Sequence, residues 1–419
     1  MTANIADQRL TRLIGRVAQK EGDQNRARIE ALRARPDFRP ELDYFVRLLA
    51  DLSPAKAAER AGRPLVGLMC LQAPLELFHA LDLQPFKIYS GSYVTGQLAV
   101  GNLPAIMCPM LRSLLGALRL DFAFDSFKAW VLPTTCDWVV KFPEMLKLTG
   151  GVDLGSDEKL HWLELPHLKE NEDSRTRWLE EMYKLNKFLL RLTGRKKLKP
   201  ARLAEALEAY QRAWRALSRL TEARRLGQVP AVWYTLISNG FFYDSVERWT
   251  AALEQALPLF SAGAPAEGRV FLAGSPVFFP NYKIFDLLEE AGLTVTADDL
   301  CSSERIFPGA VNYSDRSEFG LMSALAERYH QGCLCPTFAD NGRRVNNIIS
   351  PQRKTCYEGV VFQVLKGCHP YDLESFSIAE TLKDNGLRYL RLDTDHSAED
   401  SRNLLTRLEA YRHNLVDGD

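Results

Sequence analysis

The sequence predicts an α/β protein: two open parallel-sheet lobes of flavodoxin-like build, with an N-terminal helical cap and a helical insertion. Three observations predict it. Short apolar runs bounded by turn residues alternate with helical stretches, the pattern of a parallel sheet covered by helices. That alternation occurs twice, on either side of a long segment rich in Ala, Leu, Arg and Glu. Finally, four of the eight cysteines sit just beyond short apolar runs. Cys70 follows Leu65-Val66-Gly67-Leu68-Met69, Cys108 follows Ala105-Ile106-Met107, Cys136 follows Trp130-Val131-Leu132, and Cys368 follows Val360-Val361-Phe362-Gln363-Val364-Leu365. Ligands of open α/β sheets gather outside the carboxyl ends of the strands, so cysteines placed there can converge from distant parts of the chain. Converging thiolates favour an iron–sulfur cluster or a soft metal.

Residues 1–62 form a charged helical region, with Leu10, Leu13, Ile14 and Val17, then Tyr44, Phe45, Leu48 and Leu49, at helical spacing. It fits a solvated cap on the next domain, with a lid or docking arm as the alternative. The first α/β lobe spans 63–155. Pro64 to Met69 is its first strand, and Ala73-Pro74-Leu75-Glu76-Leu77 opens a helix with Pro near its start and Glu in its first turn. Further strands are expected before Cys108 and Cys136. Residues 156–265 read as a helical insertion in which Leu203, Leu207, Tyr210, Trp214 and Leu217 share one face. Ser261 to Gly268 is the best linker. The second lobe, 266–419, offers strands at Val270–Ala273, Leu293–Thr296, Gly359–Leu365 and Tyr389–Leu392, with helices at Tyr282–Ala291, Ser375–Asn385 and from about Ala398.

Composition narrows the function. Lys plus Arg equals Asp plus Glu at 53 each, which gives no bias toward nucleic acid or acidic membranes. The N-terminus lacks the apolar core of a signal peptide, and no run approaches ~18 apolar residues. The expected location is the cytoplasm, where structural disulfides are rare. No P-loop, Gly-x-Gly-x-x-Gly or His-Glu-x-x-His motif occurs. Cys333-Leu334-Cys335 is too tightly spaced for an ordinary zinc knuckle. Taken singly, each cysteine could be a small buried hydrophobe. Their shared position after strands weakens that reading.

The chain resembles the 2-hydroxyacyl-CoA dehydratase and benzoyl-CoA reductase family, which includes the double-cubane cluster proteins. The resemblance rests on Val66 through Leu77, Cys108-Pro109-Met110-Leu111-Arg112-Ser113 and Thr135-Cys136-Asp137 in the first lobe. In the second it rests on Val270 through Pro276, Asp298-Asp299-Leu300-Cys301, Glu358-Gly359-Val360-Val361, Cys368-His369, Leu390 through Asp395 and Thr406 through Ala410. It implies an iron–sulfur protein that takes electrons from a separate ATP-hydrolysing activator. By position, Cys108, Cys136 and Cys368 match the three ligands of a 4Fe–4S cubane. The surplus cysteines point toward the double-cubane branch, an 8Fe–9S cluster with six thiolates. Cys70, Cys301 and Cys335 are the candidates for its second half, Cys333 rivals Cys335, and Cys356 reads as a core thiol.

Glu76 falls in the family's Pro-x-Glu-Leu element. There it is either a proton-moving carboxylate or a first-turn residue favoured by the helix dipole. His369 could donate a hydrogen bond to a cluster sulfur or simply lie at the surface. Gly274-Ser275-Pro276 could cradle a CoA phosphate or be a strand-to-helix turn. The leading functional expectation is a reductase-type protein acting on a small molecule or acyl-CoA. It would be a homodimer, or a heterodimer with a paralogous subunit. The alternatives are a single-cubane subunit of a heteromeric dehydratase or benzoyl-CoA reductase, a non-catalytic electron relay or scaffold, and a cluster-free binding module.

Overall fold

The computed structural model describes residues 2–99, 103–104, 106–120, 126–148, 154, 158–261, 267–340, 342–350 and 356–416. The N-terminal region is helical, with α1 (Thr2–Arg33), α2 (Asp43–Ala50) and α3 (Pro54–Ala61). The first lobe then runs β1 (Leu65–Leu68), α4 (Leu75–Ala80), β2 (Gln84–Lys87), α5 (Tyr93–Gly96), α6 (Pro109–Leu120), β3 (Phe127–Pro133), α7 (Asp137–Val140), α8 (Phe142–Leu148) and β4 (Leu160–Leu163). Four helices follow: α9 (Glu172–Thr193), α10 (Pro200–Arg225), α11 (Ala231–Gly240) and α12 (Val246–Ala256). The second lobe contains β5 (Arg269–Gly274), α13 (Lys283–Glu290), β6 (Thr294–Asp298), α14 (Glu318–Gly332), α15 (Gly342–Ile349), β7 (Gly359–Leu365), α16 (His369–Asp384), β8 (Arg388–Thr394) and α17 (Ser401–Val416).

Both sheets are four-stranded and wholly parallel, with orders β2-β1-β3-β4 and β6-β5-β7-β8. The two lobes therefore repeat one topology. In each, the chain leaves the first strand toward one side and returns on the other, which opens a crevice at the carboxyl ends of β1 and β3, and of β5 and β7. Central strands buried on both faces carry continuous apolar runs rather than alternating ones. β1 and β7 are buried at every position. Gly67, paired with Phe86 and Trp130, leaves no room for a side chain, because a Cβ there would lie 2.4 Å from Ile88 Cδ1.

Helix α1 does more than cap the first lobe. Glu21 accepts a hydrogen bond from Ser92 in the first lobe and Arg28 pairs with Asp286 (2.8 Å) on α13 of the second, where Arg35, just beyond α1, pairs with Glu289 (2.8 Å). The lobes also meet directly, as the Gly91 N–H donates to the Phe279 carbonyl at 3.1 Å. The helices α9 to α12 dock on both lobes. Trp178 donates to the Ala326 carbonyl (3.0 Å), and buried Arg224 pairs with buried Asp298 at the end of β6 (2.5 Å).

Two expectations change. Cys108 does not follow a strand: Ile106 is 66% exposed, Met107 closes a turn onto Pro104, and Cys108 stands immediately before α6. Ala105 lies outside the described residues. An apolar run bracketed by Pro104 and Pro109 finds no ladder partner here. The second change is β4, which lies inside the segment expected to be helical and completes the first sheet beside β3. Most of the expected linker, residues 262–266, lies outside the described residues.

Candidate functional site

Three of the six expected cysteine ligands, Cys70, Cys136 and Cys368, follow strands that border a crevice. Cys70 follows β1, Cys136 follows β3, Cys301 follows β6 and Cys368 follows β7, while Cys108 opens α6. Cys335 comes from the loop after α14. These side chains fall into two groups by their mutual electrostatic influence. In the first, Cys108 and Cys368 hydrogen-bond to each other. That bond holds the Cys108 thiol below its usual range and pushes Cys368 well up. Burial raises Cys136 to about 11, and the charges of Cys108 and Cys335 add to the rise. In the second group, burial raises Cys70, with the charges of Cys335 and Cys301 acting in the same direction. Cys136 and Cys335 thus join the two groups.

The backbone around these sulfurs is unusual. Cys70 has φ of +78°, a left-handed conformation that is rare for a side-chain-bearing residue and is often held at functional sites. Its N–H donates to the Tyr89 hydroxyl, and the Tyr89 ring stacks on Phe278 of the other lobe at 4.3 Å. Gly367 has φ of +82°, and a Cβ there would lie 2.1 Å from the Ile106 carbonyl oxygen. This glycine lets the Cys368 turn close onto the Cys108 turn. Trp138 seals the same corner by donating to the Gly367 carbonyl at 3.1 Å. Asp298 shapes the Cys301 loop: its carboxylate accepts from the N–H groups of Leu300 (2.9 Å) and Glu304 (3.1 Å) and from the Ser303 hydroxyl (2.6 Å).

Three cations face the second group, of which Lys87 and Lys169 are buried and Arg305 is half-buried. Lys87, at the end of β2, donates to the Cys301 carbonyl at 2.9 Å and lies 4.7–5.1 Å from the ring centres of Tyr89, Phe242 and Phe278. Lys169 donates to the Cys333 carbonyl and sits 3.8 Å from the centre of the Phe338 ring. Arg305 donates to the Tyr371 hydroxyl at 2.5 Å and feels the charges of Cys301 and Cys335. Burial lowers both lysines to about 8, against the opposing pull of neighbouring cysteine thiolates. Among the described residues, none of the three makes an ion pair with a carboxylate. Asp299, whose charge Arg305 feels, is itself paired with Arg344 (2.8 Å), which also reaches Glu374 (3.0 Å).

The other sequence candidates are placed as follows. Glu76 is fully buried in an ion pair with Arg328, and the Tyr329 hydroxyl donates to its second oxygen at 3.1 Å. This ties α4, which follows Cys70, to α14, which precedes Cys333. Cys333 points its sulfur at the Leu71 carbonyl (3.6 Å), while Cys335 feels the charge of Cys301. Cys356 lies before β7 and packs against the core behind that sheet. His369 is exposed. Gly274-Ser275-Pro276 is a turn whose polar groups are spent on β7: the Ser275 N–H donates to Gln363 (2.7 Å), and its hydroxyl accepts from Leu365 (3.0 Å). Lys87, Lys169 and Arg305 escaped the sequence reading. A lysine in the run Phe86-Lys87-Ile88-Tyr89 was the available signal, masked by Pro85, which argues against a strand interior.

Among the described residues, no three His, Cys, Asp or Glu side chains converge as ligands of a single ion would. Cubane thiolates bind separate irons and stand farther apart. A wholly cysteine donor set in a buried, cationic setting suits that anionic group. No helix among the described residues is long and apolar enough to cross a membrane.

The sequence pattern of the 2-hydroxyglutaryl-CoA dehydratase D-component matches residues 70–415, from the first candidate cysteine to the last helix. The chain belongs to this family. Two relatives extend the match. A protein of Escherichia coli (strain K12) named as a dehydratase subunit, YjiM, is 26% identical over 368 residues, covering 84% of this chain and 91% of that protein. The lactoyl-CoA dehydratase subunit beta of Anaerotignum propionicum is 21% identical over 371 residues, covering 86% and 95%. The D-component family thus spans both lobes and the helices between them.

Proposed function

We propose that this dehydratase-family chain is a cytoplasmic iron–sulfur reductase-type enzyme built around a double cubane. Cys108, Cys136 and Cys368 would hold one half, and Cys70, Cys301 and Cys335 the other. The observation that supports this most is the grouping of the six cysteines in two sets of three, joined through Cys136 and Cys335, beside the buried Lys87 and Lys169 and the half-buried Arg305, which make no ion pair with a carboxylate among the described residues. An unpaired buried charge is costly, and an anionic cluster would neutralise these three. Such a cluster would supply low-potential electrons, received from an ATP-hydrolysing activator, for the reduction of a small molecule or acyl-CoA. The protein's own residues would position and shield it. Tyr89 and Phe278 stack across the crevice, Gly367 brings the Cys108 and Cys368 turns together, and Asp298 fixes the Cys301 loop. Glu76 reads as a positioning residue, since Arg328 and Tyr329 occupy both of its oxygens. The expected assembly is a homodimer or a pair with a paralogous subunit.

A second reading is favoured by the relatives' names, which describe subunits. In it the chain holds a single cubane on Cys108, Cys136 and Cys368 within a heteromeric dehydratase. Anaerobic iron and acid-labile sulfide analysis separates the two. About eight irons per chain, falling to about half in Cys136→Ser or Cys335→Ser, supports the double cubane. About four irons, unchanged in Cys335→Ser, supports the single one.

A further inference from the structure

We infer that the two halves of the candidate cluster site are electrostatically unequal, and that Lys87, Lys169 and Arg305 tune the Cys70/Cys301/Cys335 half to the higher reduction potential. This rests on the double-cubane reading above. The inequality is visible in the side chains around each group. Lys87 is 2% exposed and Lys169 5% exposed. Each spends its ammonium on a cysteine backbone carbonyl, of Cys301 and Cys333, and on aromatic faces. Arg305 follows Cys301 by four residues and is anchored by Tyr371. Around the Cys108/Cys136/Cys368 group, the cation among the leading interactions of Cys108 is Arg112, a side chain at the start of α6 that is half-buried, as Arg305 is, whereas Lys87 and Lys169 are buried. No cation acts on Cys136 or Cys368 among their leading interactions.

Adding an electron to a cluster adds negative charge, so a fixed buried cation stabilises the reduced form and raises the potential. The effect is strong where water cannot screen it. An electron entering the molecule would therefore settle in the half nearest Lys87, Lys169 and Arg305, and the Cys108/Cys136/Cys368 half would stand uphill of it. Lys87, Lys169 and Arg305 are positioning residues in this scheme, since they act through the cluster's charge.

The test is an EPR-monitored redox titration of the anaerobically purified full chain, on preparations matched for iron content. Lys87→Met and Arg305→Met should each weaken one-electron reduction about tenfold, about 59 mV toward more negative potential. Lys87→Arg, which keeps the charge, should retain the wild-type value, and Arg112→Met should move it less than Lys87→Met does. Should Lys87→Met fail to hold iron, Lys169→Met takes its place with the same expectation. A wild-type potential in an iron-replete charge-removing variant would overturn the inference, as would an equal shift in Arg112→Met. A wild-type count of about four irons would instead overturn the double-cubane reading beneath it.

Discussion

Replacing Arg328 by Met removes the cation from a Glu76 carboxylate that is fully buried. Breaking a buried pair from one side typically costs about 3–5 kcal/mol, whereas removing both charges together costs far less. Arg328→Met should therefore lower the stability of the apoprotein by that amount in denaturant unfolding, and Glu76→Gln with Arg328→Met should recover much of it. A proton-moving Glu76 would behave differently, losing activity in Glu76→Gln without this pattern of rescue. Gly367→Ala makes a second prediction. A Cβ placed 2.1 Å from the Ile106 carbonyl must part the Cys108 and Cys368 turns. Iron content should fall toward half while the fold, followed by circular dichroism, persists. The Cys333/Cys335 pair gives a third. Cys333→Ser should keep its iron, because that sulfur faces the Leu71 carbonyl, and Cys335→Ser should lose about half.

β4 shows why some elements were legible in the sequence and others were not. Its four residues Leu160-His161-Trp162-Leu163 are too few for periodicity to declare a strand, and only pairing with β3 makes one. β2 escaped for a related reason: Pro85 is tolerated because β2 is an edge strand paired on one side with β1. β5, β6, β7 and β8 were readable because their apolar runs are bounded by turns. The structure of β4 also sets a pH response. The His161 ring stacks on Phe188 of α9 at 5.0 Å, and burial lowers its pKa to about 4, with Lys184 and Arg191 adding to the shift. The unfolded chain then binds the proton more tightly than the folded one. This contribution to stability is complete above pH ~6.5 and is lost as pH falls toward 4. Burial lowers His330 and His396 to about 4 as well, with the same sign. His161→Phe should accordingly flatten, without abolishing, the fall in unfolding midpoint between pH 7 and pH 5.

Across the whole molecule, two copies of one sheet topology place cysteines separated by up to 298 positions, Cys70 and Cys368, just after the central strands β1 and β7. The cysteines were visible in the sequence because strand ends are visible. The cations beside them were not, since Lys169 lies between β4 and α9 and Arg305 lies beyond β6, and only tertiary packing brings them close to the cysteines. Cys108 was marked both by the apolar run before it, which forms no strand among the described residues, and by the Cys108-Pro109-Met110-Leu111-Arg112-Ser113 motif of the resemblance. The central claim is that both lobes jointly hold one double cubane. Iron-edge anomalous diffraction from crystals of the anaerobically purified chain tests it most directly. Eight iron positions between the lobes, bounded by the sulfurs of Cys70, Cys108, Cys136, Cys301, Cys335 and Cys368, are expected. Iron confined to Cys108, Cys136 and Cys368, with Cys70, Cys301 and Cys335 left as thiols, would contradict it.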